Sequence, residues 1–130
     1  MVAQSDTHSK GLILVVDDYA ALRHCLRDTL ELVGYTVTTA QNGLDGLHTL
    51  LDMDALPDLI MTDLKMDQLG GFQLMEAVRS EARWQDIPFL FVSGQFSETS
   101  DLDGLSCLPK PFSLEQLVTT VENTLMPISM

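Results

Sequence analysis

Five polar or charged side chains each close a short, mostly apolar segment of the chain, and together they could handle a phosphoryl group: Asp17, Asp18, Asp63, Ser93 and Lys110. Three neighbouring carboxylates repel one another, and a divalent cation relieves that repulsion. Oxygen ligands with retained waters suit Mg2+. Beside such a cation a carboxylate can attack phosphorus, while an ammonium and a hydroxyl pair with phosphate oxygens. These residue types therefore predict a Mg2+-dependent phosphoryl-acceptor site, if the fold brings them together.

The segments that precede these residues are predicted to be strands of a parallel sheet. Short apolar or β-branched runs bounded by turn residues are typical of strands buried on both faces, and the chain has five, at 11–16, 35–40, 58–62, 89–93 and 105–108. Between them, leucine and valine recur at helical spacing, with Gly34 ending the first helix and Ser113 capping the last. Alternating strands and helices predict a doubly wound α/β fold.

In such a sheet, ligands bind at the carboxyl ends of the strands. Each candidate residue alone has an ordinary interpretation, because a strand-end aspartate is often a turn former and a lysine is usually a surface charge. All five, however, fall at the ends of four predicted strands, the first, third, fourth and fifth. Their joint position favours a common site over coincidence.

Composition excludes several classes of protein. Seven Lys and Arg stand against 19 Asp and Glu, a net charge of -12, so phosphate backbones would be repelled and direct nucleic-acid binding is not expected. No apolar run approaches the roughly 18 to 20 residues that span a bilayer, so no membrane insertion is expected. We expect a soluble, cytoplasmic protein with a flexible segment at 1–10, one domain at 11–126 and a tail at 127–130.

The ordered set of motifs LILVVDDYAALR, LIMTDLKM followed by GG, FLFVSG and LPKPF resembles the receiver domain of two-component response regulators, over about residues 11–126. The resemblance implies a flavodoxin-like, five-stranded parallel sheet in the order 2-1-3-4-5. It also implies a Mg2+ site, in which Asp18 and Asp63 are direct ligands and Asp17 mainly holds metal-bound water. The backbone carbonyl of Lys65 would complete that site.

The same resemblance implies how the phosphoryl group is held. Asp63 would be the phosphorylation site, Ser93 the switch hydroxyl and Lys110 the lysine that pairs with the phosphate. The Lys110-Pro111 bond is expected to be cis, which is accessible at modest cost only before proline.

Two departures from the family pattern stand out. Cys107 occupies the switch position, three residues before Lys110, where typical receivers have an aromatic residue that turns inward on activation. The connection after Ser93 is short and rich in turn residues, so the helix between the fourth and fifth strands is predicted to be short or absent. This shortened connection resembles receivers associated with hybrid sensor kinases.

The chain stops just past its last predicted helix, so we expect a stand-alone receiver that signals through protein contacts. Its partners would be a histidine kinase or histidine phosphotransfer protein, and a downstream protein target. Beyond Mg2+-dependent self-phosphorylation and self-dephosphorylation, no enzymatic activity is expected.

Three other classes of protein share parts of this pattern. An aspartyl-phosphate phosphatase would carry its nucleophile after the first strand, with a second Asp two residues on, whereas Lys65 stands at that distance from Asp63. Binding of a flavin phosphate is opposed by Asp17 and Asp18, which stand where a phosphate-cradling loop would be needed. A phosphorylation-independent interaction module with a degenerate switch stays open, because of Cys107 and the short connection.

Overall fold

The computed structural model describes residues 9–94 and 106–125. They form a five-stranded parallel sheet with the strand order β2-β1-β3-β4-β5, as predicted. The strands are β1 (Leu12–Val16), β2 (Thr36–Ala40), β3 (Leu59–Asp63), β4 (Phe89–Ser93) and β5 (Ser106–Pro109). Four α-helices lie in the described ranges: α1 (Ala20–Leu32), α2 (Gly43–Asp52), α3 (Gly71–Arg79) and α4 (Leu114–Leu125), with a short 3-10 helix at Ala82–Trp84.

The sheet separates two hydrophobic cores, because helices pack on both of its faces, as in any doubly wound fold. Successive side chains of a strand point to opposite faces. In β1, Ile13 and Val15 pack with residues of α1 and α4, whereas Leu14 and Val16 pack with residues of α2 and α3. All four of these β1 side chains are buried, which explains why the strand reads as a continuous apolar run.

The helix ends follow local chemistry that the sequence displays. Gly34, just past α1, has a φ of 112°, a left-handed conformation that glycine adopts without a steric penalty. At the start of α4, the Gln116 N–H donates to Ser113 Oγ at 3.0 Å and the Ser113 N–H donates to Gln116 Oε1 at 2.8 Å. This reciprocal capping box satisfies two backbone donors and fixes where the last helix begins.

The prediction of a short or absent helix between β4 and β5 concerns residues that lie outside the described ranges, and it stays a prediction. The same holds for the predicted terminal segments at 1–10 and 127–130, apart from Ser9 and Lys10. In the described part of the chain, no helix combines the length and the apolarity required to cross a lipid bilayer.

Candidate functional site

The carboxyl ends of β1 and β3 bring three carboxylates together at one edge of the sheet. Asp17 and Asp18 follow β1 directly, and Asp63 is the last residue of β3. One carboxylate oxygen from each of the three lies within 4.8 Å of the other two. Hard oxygen donors at this spacing fit a divalent cation such as Mg2+, which would offset their mutual repulsion.

Asp17 is the buried member of this cluster, with 1% of its surface exposed. Its Oδ1 accepts the Tyr19 N–H at 2.9 Å, and its backbone carbonyl accepts Arg23 Nη1 at 2.8 Å. Burial raises the pKa of Asp17 above its ordinary value of 3.8; the Tyr19 hydrogen bond and Lys110 lower it, and the charges of Asp63 and Asp18 raise it further. Burial disfavours the charged form of Asp17, and a cation bound beside it would favour that form.

Lys110, immediately after β5, places its ammonium between two of these carboxylates. Its Nζ lies 3.1 Å from Asp63 Oδ2 and 3.8 Å from Asp17 Oδ2. The Lys110 side chain is 27% exposed, so the attraction is only partly screened by water. The Lys110-Pro111 peptide bond is cis, as predicted.

Asp63 combines a fixed orientation with access from outside. Its Oδ1 accepts the Leu64 N–H at 2.7 Å, while Oδ2 contacts Lys110. The Asp63 side chain retains 15% exposure, so solvent reaches a carboxylate that the backbone and the lysine already hold in place.

The remaining predicted residues are Ser93, Lys65 and Cys107, and each has a different setting. Ser93 is the buried last residue of β4, and its backbone carbonyl accepts the Lys110 N–H at 2.9 Å. Lys65 is exposed, two residues beyond Asp63, and its carbonyl as a metal ligand stays a prediction. Cys107 is half-buried in β5, beside Phe91 of β4 and against the core that contains α2 and α3. Burial raises the pKa of the Cys107 thiol.

Residue-by-residue reasoning missed a glycine pair that shapes the acceptor loop. A Cβ added at Gly71 would collide with the backbone carbonyl of Asp63, and one added at Gly70 would lie 2.7 Å from the Leu64 carbonyl. The Gly71 N–H donates to that Leu64 carbonyl at 2.9 Å. The GG dipeptide was visible in the sequence as a turn signal, but the close approach to Asp63 required the folded geometry.

Replacing Gly71 with alanine is expected to destabilise the domain by about 2 kcal/mol or more, because the backbone around Asp63 must move to admit the methyl group. Urea unfolding followed by circular dichroism measures the effect. Gly94→Ala is the matched control, since among residues 9–94 and 106–125 a Cβ there would approach nothing closer than Lys110 Cβ at 3.9 Å. Equal stability of the two variants would contradict the steric argument.

Comparison with known proteins agrees with this fold. The family model for the response regulator receiver domain matches residues 13–122. Sensor histidine kinase CheAY of Helicobacter pylori is 30% identical over 122 residues, which cover 90% of this chain and 15% of that protein. Response regulator MprA of Mycobacterium sp. is 36% identical over 111 residues, covering 82% of this chain and 46% of MprA. The structure of chemotaxis response regulator CheY4 of Vibrio cholerae aligns with a TM-score of 0.79 at 29% identity, covering 87% of this chain and 97% of CheY4.

The chain therefore belongs to the response regulator receiver domain family of two-component signalling. Receiver domains are phosphoryl acceptors rather than classical enzymes, they bind Mg2+ at an acidic pocket, and they interact with histidine kinases. The chain spans about half or less of the length of the two curated relatives, CheAY and MprA.

Proposed function

We propose that this receiver accepts a phosphoryl group on Asp63 from a histidine kinase or a histidine phosphotransfer protein, and passes that event on through protein contacts. The observation that carries the proposal is the 3.1 Å contact between Lys110 Nζ and Asp63 Oδ2, beside a triad of carboxylates within 4.8 Å of one another. A lone strand-end aspartate would need neither a paired ammonium nor two further carboxylates.

The chemistry assigns a separate task to each side chain. A carboxylate oxygen of Asp63 forms the new O–P bond as the P–N bond of a phosphohistidine breaks, and the released imidazole takes up a proton. The Lys110 ammonium, already drawn to Asp63, pairs with a phosphoryl oxygen, and the Ser93 hydroxyl donates a hydrogen bond to another.

A Mg2+ ion would be held directly by Asp18, Asp63 and, as we propose, the Lys65 backbone carbonyl, while Asp17 would mainly hold metal-bound water. Bound there, it would supply positive charge against the phosphoryl oxygens. Asp17 and Asp18 would orient the ion and neutralise part of its charge, and the Tyr19 N–H holds the Asp17 carboxylate in place.

One further point concerns context. Cys25 and Cys107 are thiols rather than a disulfide, which fits a reducing compartment, and we therefore place the exchange in the cytoplasm.

Incubation with Mg2+ and a small-molecule phosphodonor, followed by intact-mass spectrometry, tests the proposal. We expect a gain of one phosphoryl group that is absent when the metal is chelated. Peptide mapping is expected to locate that group on Asp63. No gain from the small phosphodonor or from a phosphorylated histidine kinase would instead support the phosphorylation-independent interaction module.

A further inference from the structure

The helix α2 carries exposed leucines along one border of its packed face. Its inner face is packed: Gly43, Gly46 and Leu50 are buried. To one side of this inner face, Leu44 is 43% exposed and Leu51 is 58% exposed, while Leu47, which lies between them on the helix surface, packs partly against the core. These two leucines and the half-buried Leu47 follow the i, i+3, i+7 spacing of one helix face, and we refer to the three as the α2 leucine face.

Single exposed leucines are ordinary on a protein surface. An aligned set along one helix is less common, and such sets often mark interaction sites. Leu56, in the connection that follows α2, is a further 40% exposed leucine. The contrast with α1 is informative, because its exposed Leu32 is the last residue of that helix and has no aligned partner among the exposed large hydrophobic residues of the described chain.

The charged residues around this face indicate what kind of partner could bind it. From the start of α2 to the start of β3, residues 43–58, the sequence contains four Asp and no Lys or Arg. Asp52 and Asp54, at the end of α2 and just beyond it, are exposed. An apolar partner that carries Lys or Arg at its border complements this surface, whereas a second copy of a chain with net charge -12, or an anionic membrane, would be repelled.

The first turn of α2 is tied to the loop that leaves the acceptor residue. The Gly43 N–H donates to the Leu69 carbonyl at 3.1 Å, and the Leu44 N–H donates to the Gln68 carbonyl at 3.3 Å. Gln68 and Leu69 have φ values of 55° and 77°, a conformation that side chains other than glycine seldom adopt. A Cβ at Gly43 would collide with the Leu69 carbonyl, so the contact between loop and helix is close.

We propose that the α2 leucine face is a docking surface for a partner helix that presents an apolar stripe bordered by Lys or Arg. Because residues 68 and 69 hold the first turn of α2, a change in the 64–70 loop changes the position of Leu44 relative to Leu51. The affinity for the partner helix then depends on the chemical state of Asp63, a dependence that rests on the function proposed above.

The docking surface can be tested with a synthetic amphipathic peptide that carries leucine along one helical face and lysine on the other. Binding is followed by fluorescence anisotropy, and the contact is mapped by NMR amide shifts. We expect shifts concentrated in residues 43–52, and about tenfold weaker binding by a Leu44→Ala, Leu51→Ala double variant. Leu32→Ala, which removes an 87% exposed leucine from α1, is the matched control and is expected to bind like the original chain.

A second peptide of the same composition, with its leucines spread around the helix, controls for attraction by charge alone. Equal affinity of the two peptides, equal affinity of the two protein variants, or shifts centred on another element would overturn the docking surface. So would sedimentation equilibrium showing that the chain itself dimerises through α2.

The dependence on Asp63 is measured separately, by titrating the amphipathic peptide with and without Mg2+ and phosphodonor. We expect the affinity to change at least threefold in the phosphorylated protein and not in Asp63→Asn. If mass spectrometry shows phosphorylation and the affinity is unchanged, the coupling fails while the proposed function stands. If no phosphorylation occurs, the proposed function fails, and the leucine substitutions still decide the docking surface.

Discussion

Replacing Asp63 with asparagine is expected to abolish phosphoryl uptake entirely. Asparagine has nearly the same shape, but its amide lacks the anionic oxygen that must form the O–P bond. The substitution also removes the negative charge that Lys110 Nζ contacts at 3.1 Å. Intact-mass spectrometry after incubation with Mg2+ and a small phosphodonor measures the outcome, and we expect the variant to keep its unmodified mass throughout.

The matched control for this experiment is Asp54→Asn, which removes one exposed aspartate from the connection between α2 and β3. That connection precedes β3, whereas Asp63 ends it, so the control site lies away from the carboxyl ends of the strands. The control variant is expected to gain a phosphoryl group like the original chain. Persistent modification of Asp63→Asn would show that another side chain is the acceptor, and the assignment of Asp63 would be wrong.

Replacing Asp17 with asparagine is expected to change stability in opposite directions with and without metal. Because burial raises the pKa of Asp17, the folded state holds its proton more tightly than the unfolded chain does. The stability contributed by this group is present below pH 3.8 and is lost as the pH rises through the raised folded-state pKa. A neutral amide avoids that loss, so the metal-free variant should be more stable at pH 7, on the order of 1 kcal/mol.

With Mg2+ the order should reverse. A ligand that binds only the folded state, at 100 times its Kd, stabilises that state by about 2.7 kcal/mol. We expect the original chain to show this gain in thermal unfolding and the Asp17→Asn variant to lose most of it, because its Mg2+ affinity should fall by about 100-fold. Scans from pH 4 to pH 7 should show the metal-free difference growing as the pH rises. A metal-free variant that is less stable than the original chain at pH 7 would show that the Tyr19 hydrogen bond and the Lys110 contact together outweigh desolvation.

Much of the fold could be predicted because the strands are buried on both faces. Leu14 and Val15 meet opposite cores, so β1 had to be apolar throughout, and its end at Asp17 was visible as the first charge. Each of the five predicted strands differs from the observed one by no more than one residue at either end. The parallel order of the strands, by contrast, came from the resemblance to receivers rather than from periodicity.

The site was predictable only in outline. Sequence reasoning gathered Asp17, Asp63 and Lys110 at one edge because parallel strands share a carboxyl end. It gave no sign that the Lys110 ammonium lies between two carboxylates, since that depends on side-chain rotamers. Nor could it show that Leu69 is left-handed, because leucine at a positive φ runs against its local preference and is imposed by tertiary contacts.

Cys107 remains the clearest departure from the family pattern. It packs beside Phe91 in the middle of β5, so its side chain is part of a core contact rather than a loose surface group. A thiol is too small to serve as an aromatic ring that moves between two positions. The hydrogen bonds from the first turn of α2 to the acceptor loop offer a different physical route from Asp63 to the surface.

The backbone bond from the Lys110 N–H to the Ser93 carbonyl has an evolutionary consequence. The residues that carry the hydroxyl and the ammonium sit on adjacent strand ends whose separation is set by the sheet, since Ser93 pairs with Pro109. The stretch of chain that joins these two strands can therefore lengthen, shrink or diverge while the reactive groups keep their spacing. Natural variants of this domain can thus acquire different protein partners while the positions of Ser93 and Lys110 stay the same.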